Sequence, residues 1–262
     1  MIVESSAIVA RDMGVRRGGR WLLRPAAFGI AEGVTGLAGP PGVGKTSLLA
    51  TFATLRRPYT GTLKILGHPT ENSRNLRAIR ARLGYLPANF RWAANLSVRD
   101  FVGYVAYYKS TPQAAVTAML ARMELEDVAT MELGVLPPEL RLRAGLAATC
   151  VHEPDLVLLD EPCGELEEPA WADLMPLIRS LAPTVVLTAP AAHQLTGWCD
   201  QVLSLVRGRL IGLPPDLAGP AAPVGSVGSV GSVGPIGSAG PIGLPHSLYC
   251  AGRVPVGSGA RG

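Results

Sequence analysis

Gly39-Pro40-Pro41-Gly42-Val43-Gly44-Lys45-Thr46-Ser47 is preceded by an apolar run, Val34-Thr35-Gly36-Leu37-Ala38, and followed by Leu48-Leu49-Ala50. The order is strand, glycine-rich loop, helix start, and the spacing G-x-x-x-x-G-K-[ST] is that of a P-loop. Glycines let the backbone wrap a phosphate chain where a side chain would collide. Successive N–H groups then point inward as an anion nest, completed by the positive end of the following helix. Lys45 is placed to reach the β- and γ-phosphates, and the Thr46 hydroxyl to ligate Mg²⁺. Pro41 removes one donor, but early in the loop. A glycine-rich turn that merely precedes a helix would need neither flank. Residues 39–47 are therefore read as the floor of a nucleoside triphosphate site.

A second stretch completes that site. Leu156-Val157-Leu158-Leu159-Asp160-Glu161-Pro162 is an apolar run ending in two carboxylates, about 115 residues after the loop. Such a run suits a strand buried in a parallel sheet. Asp160 stands where a P-loop protein holds Mg²⁺ through water. Glu161, one residue on, is placed to polarise a water in line with the γ-phosphate. Alone, the stretch reads equally well as a strand ending in a solvated acidic turn.

Composition bounds the rest. The 262 residues are 48% hydrophobic and 17% charged, enough for one α/β domain of about 210 residues and a tail. The net charge of +4 is spread over scattered arginines, with no basic block dense enough to suggest nucleic acid as a partner. Cys150, Cys163, Cys199 and Cys250 form no C-x-x-C pair, which fits a reducing compartment and neither a metal site nor a disulfide framework. There is no signal-type N-terminus and no charge-free apolar run of about 18 residues, so the chain is expected to be cytoplasmic.

Short strands are predicted over 2–9 and 21–30 with a basic turn between them, and a helix from 45 to 54. Further strands are predicted over 62–66 and 83–86. Residues 98–108 and 112–123 have helical periodicity, and 140–151 make a third helix, its start marked by Pro137-Pro138. A helix over 169–181, a strand over 184–187 and a hairpin of 201–206 with 209–213 close the domain. Alternating β and α elements around a P-loop imply an α/β fold with a mostly parallel sheet. After residue 213, Gly-Ser-Val and Gly-Pro-Ile repeats take over and charges nearly vanish, so 214–262 are expected to be a disordered tail.

With both halves of the site in hand, residues 2–213 resemble the ATP-binding subunits of ABC transporters. Walker A is 39–47 and Walker B with its glutamate is 156–161. Leu83-Gly84-Tyr85-Leu86-Pro87 is similar to the strand entering the family's Q-loop, and Asn95-Leu96-Ser97-Val98 to the entry of its helical subdomain, about 89–153 here. Cys199-Asp200-Gln201-Val202 through Gly208-Arg209-Leu210 resembles the segment after the H-loop. The resemblance implies a P-loop NTPase fold of the ABC ATPase type, with an antiparallel β part and a helical subdomain. It also implies Mg-ATP as ligand, a separate integral-membrane permease and a second ATPase subunit, identical or not. The chain would then sit on the inner face of the cell membrane.

Several positions depart from the family. The Q-loop glutamine falls on Ala88, beside Asn89. The switch histidine falls on Pro190, with His193 three residues later. The adenine-stacking aromatic falls on Arg17, near Trp21, and the D-loop aspartate is replaced within Glu165-Leu166-Glu167. The serine and two glycines of the signature become Pro137, Pro138 and Glu139, deleting two N–H donors and bringing a carboxylate toward a polyphosphate. Two readings follow. The chain is either the degenerate half of an asymmetric ATPase pair, slow in isolation, or a weak or inactive ATP-dependent regulatory scaffold. A P-loop GTPase is disfavoured because no N-K-x-D element is present.

Overall fold

The computed structural model describes residues 6–90, 93–164, 166 and 168–213. The predicted tail, residues 2–5 of the first predicted strand, and Glu165 and Glu167 lie outside the described residues. In chain order the elements are β1 (Ile8–Arg17), β2 (Arg20–Ile30), β3 (Gly33–Ala38), α1 (Lys45–Phe52), β4 (Thr60–Ile65), β5 (His68–Pro69), α2 (Ser73–Ala81) and β6 (Leu83–Leu86). Then come α3 (Val98–Tyr108), α4 (Gln113–Arg122), α5 (Pro138–Cys150), β7 (Leu156–Leu159), α6 (Glu168–Arg179), β8 (Thr184–Ala189), β9 (Gln201–Val206) and β10 (Arg209–Leu213).

Two sheets result. One is antiparallel, in the order β2-β1-β4-β5; the other runs β10-β9-β3-β8-β7-β6, parallel except for the terminal hairpin strand β10. Period-2 alternation gives the second sheet two different faces. Leu37, Leu156, Leu158 and Val186 face the core shared with α1 and the antiparallel sheet. Val157, Leu159, Val185 and Leu187 face the core shared with the helices α3 to α6. Helix α1 is buried along nearly its whole length, Thr46 alone being exposed, so Leu48, Leu49 and Phe52 are sealed between the two sheets. No helix among the described residues is long and apolar enough to cross a membrane.

The first hairpin differs from its prediction. Strand β1 covers 8–17 rather than 2–9, because the charged stretch read as a turn is strand with Arg11, Asp12, Arg16 and Arg17 exposed. The turn itself is Gly18-Gly19, both at positive φ, as a two-residue hairpin requires. Helix α2 has no counterpart in the predictions. Only Ile79 of its nine residues is fully buried, and its start is set by Asn72, whose side chain accepts the Asn75 N–H at 2.8 Å. Helix α5 begins two residues earlier than predicted, with Pro138 in its first turn, where a missing N–H costs nothing.

Asp200 locks the start of β3. Its Oδ2 accepts the Val34 N–H at 2.7 Å, and Oδ1 pairs with Arg179 of α6 at 2.9 Å. The Val34 N–H first, then Arg179, hold this carboxyl below its usual range. A depressed carboxylate contributes stability above its unfolded pKa of about 3.9 and loses it as pH falls through the lower folded value. Asp200→Ala is expected to lower stability at pH 7 by about 1 kcal/mol, modest because half of the side chain is exposed. The difference from wild type should shrink as pH falls from the unfolded value through the lower folded one, as thermal melts at pH 7 and at acid pH would show.

Candidate functional site

The loop between β3 and α1 closes as its sequence requires. Gly39 N–H donates to Ala189 O of β8 at 3.2 Å, and Val43 N–H to Pro40 O at 3.2 Å. Gly44 has φ 121°, and a Cβ there would lie 2.9 Å from Leu22 Cβ, so no other residue fits between the loop and β2. The first N–H groups of α1 have no intrahelical acceptor, as at any helix start. Pro40, Pro41, Gly42 and Thr46 are exposed, Gly44 partly so, while Val43, Lys45 and Ser47 are buried.

Lys45 is 4% exposed and folds back under the loop. Its Nζ donates to Gly39 O at 2.6 Å and to Pro40 O at 3.4 Å, and it pairs with Glu161 Oε1 at 3.0 Å. A buried ammonium needs such partners. The two halves of the predicted site therefore meet across the end of β7. Glu161 has φ 47°, a left-handed conformation rare for a residue with a side chain, and is one-third exposed.

Asp160 is buried. One oxygen, Oδ1, accepts the Thr188 hydroxyl at 2.9 Å; Oδ2 is buried without a hydrogen-bond partner at bonding distance among the described residues. Burial foremost pushes this carboxyl up, with Glu161 adding to it, while the Thr46 and Thr188 hydroxyls and Lys45 act in the opposite direction. A buried carboxylate oxygen left over, beside the Thr46 hydroxyl, is the hard oxygen donor set that suits Mg²⁺. The residues present fit that ion.

Thr188 escaped the sequence reading. Its hydroxyl also accepts the Glu161 N–H at 2.8 Å, so it touches both Walker B carboxylate residues. The available signal was a hydroxyl residue near the C-terminal end of a strand whose middle is apolar.

The divergent positions are placed as follows. Ala88 and Asn89 are exposed and line a cleft of about 240 Å³ with Asp160, Glu161 and the start of α5. Phe90 anchors this segment by stacking on Phe101 of α3, with ring centroids 5.8 Å apart. Pro190 is exposed just beyond β8, and His193 is exposed on the short 3-10 turn Ala192–Gln194. Arg17 is exposed at the hairpin end, paired in register with Arg20.

Two of these positions have partners that the sequence does not show. Trp21, the aromatic near Arg17, already has ring partners within the hairpin. The register steps from Val15↔Leu23 to Arg16↔Trp21, leaving Leu22 as a bulge. That bulge puts Leu22 against Gly44 and turns Trp21 outward over Gly14, with Tyr59 edge-on at 5.5 Å and Arg16 over its ring at 5.6 Å. Glu139, in turn, does not aim its carboxylate off the helix end. Oε1 accepts Arg143 Nε at 3.1 Å, one turn along α5, and Arg143 Nη1 reaches Glu124 at 2.8 Å. The i,i+4 spacing of Glu139 and Arg143 could have revealed this.

Known proteins agree with this architecture. The family model described as ABC transporter matches residues 23–164, more than half of the chain. The chain is 29% identical over 209 residues to the Nod factor export ATP-binding protein I of Burkholderia orbicola, covering 77% of this chain and 68% of that protein. It is 32% identical over 224 residues to the sulfate/thiosulfate import ATP-binding protein CysA of Mycolicibacterium paratuberculosis, covering 80% and 60%. A dimeric ATP-binding cassette solved in a post-hydrolysis state with ADP and Pi superposes with a TM-score of 0.70 at 19% identity, over 79% of this chain and 98% of that one. With its P-loop helix sealed between two sheets and a family match spanning both halves of the site, the chain belongs to the ABC transporter family and has the fold of its ATP-binding subunits.

Proposed function

We propose that this chain binds Mg-ATP at residues 39–47 and couples its binding and slow hydrolysis to transport through a separate membrane permease. It would work on the inner face of the membrane, paired with a second ATPase subunit as the degenerate half of an asymmetric dimer. The observation that carries this reading is the convergence of Lys45, Asp160 and Glu161, with Lys45 Nζ only 3.0 Å from Glu161 Oε1. The relatives, an export and an import ATP-binding protein by name, support it.

The roles follow from the geometry. Phosphate oxygens and the Glu161 carboxylate compete for one ammonium, so nucleotide binding draws Lys45 away from Glu161. The carboxylate so released, one-third exposed toward the cleft, can take a proton from an attacking water. Thr46 and Asp160 would hold Mg²⁺, which when bound neutralises charge developing on the phosphates. Base and nucleotide are thereby linked: Glu161 gains its freedom only when a triphosphate is in place.

The start of α5 supports the degenerate half. Pro137 and Pro138 offer no N–H, so this end presents fewer donors to a partner's γ-phosphate. The pairing of Glu139 with Arg143 removes the carboxylate repulsion that the sequence alone implies. A missing donor costs about 10²- to 10³-fold in turnover. ATP bound on this chain's own loop would face an intact signature loop of the partner subunit, and be the one hydrolysed. The same two prolines favour the second reading, a regulatory scaffold that closes on ATP without needing to cut it.

Lys45→Ala should weaken Mg-ATP binding at least tenfold, measured by equilibrium binding of a fluorescent ATP analogue. Unchanged affinity would remove the P-loop from the account. The purified chain should bind Mg-ATP yet turn over below about 0.1 s⁻¹, against about 10 s⁻¹ for a typical enzyme. Glu161→Gln should bind ATP more tightly than wild type, because Lys45 loses its competing charge. In the assembled complex it should abolish hydrolysis; unaltered hydrolysis there would favour the scaffold.

A further inference from the structure

We propose that Thr188 is a positioning residue that ties the base Glu161 to the cation-holding carboxylate Asp160. The role rests on the ATPase reading above and goes beyond it. Strands β7 and β8 run parallel in the register Leu156↔Thr184 and Leu158↔Val186. Leu158 and Val186 both face the core beneath α1. One further step along both strands, two residues on, brings Asp160 and Thr188 side by side on that same face, about 4.8 Å apart between strands. Thr188 is fully buried there, so its hydroxyl needs hydrogen-bond partners in the interior.

That hydroxyl makes two bonds, one as acceptor and one as donor. It accepts the Glu161 N–H at 2.8 Å and donates to Asp160 Oδ1 at 2.9 Å. The first bond holds Glu161 in its left-handed conformation, from which the carboxylate reaches Lys45. The second fixes the Asp160 carboxylate plane, leaving Oδ2 and the Thr46 side to receive the cation. A shift of the carboxylate on cation binding is thus passed to the backbone of the base through one oxygen atom. Supporting hydrogen bonds of this kind around metal ligands are worth about 10- to 100-fold in metal affinity or activity. Thr188 thus acts through Asp160 and Glu161.

The test compares wild type, Thr188→Val and Thr188→Ser as full chains. Binding of a fluorescent ATP analogue is measured with and without Mg²⁺, and phosphate release is followed across a Mg²⁺ titration. Thr188→Val, which keeps the shape and loses the hydroxyl, should lower turnover 10- to 100-fold and raise the Mg²⁺ needed for half-maximal activity. Its Mg²⁺-free nucleotide affinity should match wild type, and Thr188→Ser should restore turnover to within about threefold. Wild-type turnover and Mg²⁺ dependence in Thr188→Val would overturn the role. Equal loss in Thr188→Val and Thr188→Ser would also overturn it, assigning the effect to packing of the methyl group. If melting curves show Thr188→Val unfolded, Thr188→Ala against Thr188→Ser makes the same comparison. A wild-type chain that binds no Mg-ATP would sink the nucleotide reading and this role together.

Discussion

The structure depends on a short helix that has almost no solvent face. Helix α1 is pressed between the antiparallel sheet and the parallel one, so its apolar residues belong to a single core with both. A helix in that position can neither slide nor tilt without opening two interfaces. Its first residue is a lysine, and burying an ammonium without partners would be prohibitive. The partners are the Gly39 and Pro40 carbonyls and the Glu161 carboxylate. The end of β7 must therefore stop where it does, and β8 must lie beside it to hold the turn that follows. Packing of one helix thus fixes the spacing of groups contributed by three separate strands.

Much of this could be read from the residues. The loop at 39–47, the buried strand 156–159 and the terminal hairpin 201–206 with 209–213 each carry their own local signal: glycine spacing, an unbroken apolar run, and a Gly-centred turn. The exposed face of β1 carried no such signal, because three register shifts against β2 and an Arg-Asp pair interrupt its alternation. Helix α2 was missed for a related reason: three of its nine residues are arginines, one alone is fully buried, and its start depends on one asparagine side chain.

The site divides along the same line. Lys45, Asp160 and Glu161 follow from two motifs, each legible within a few neighbouring residues. Thr188 does not, since its meaning comes from strand register across 28 residues of sequence. Trp21 shows how one bulge changes which residues face each other across a hairpin. The residue ends on the outer side of the hairpin because Leu22 takes an extra place in the ladder. Glu139 shows the opposite case, in which a neighbour four residues away decides where a charge points.

The entry to α5 is stiff before anything touches it. Pro137 and Pro138 fix two consecutive φ angles, and Arg141 clasps the preceding turn through Leu133 O at 3.2 Å and Leu136 O at 2.8 Å. A molecule docking against this edge meets a surface with little conformational freedom left to surrender, so association there spends little on ordering. Adjustment at such a contact has to come from the other side. The chain behaves at this edge as an anvil, whose shape the opposing surface must match.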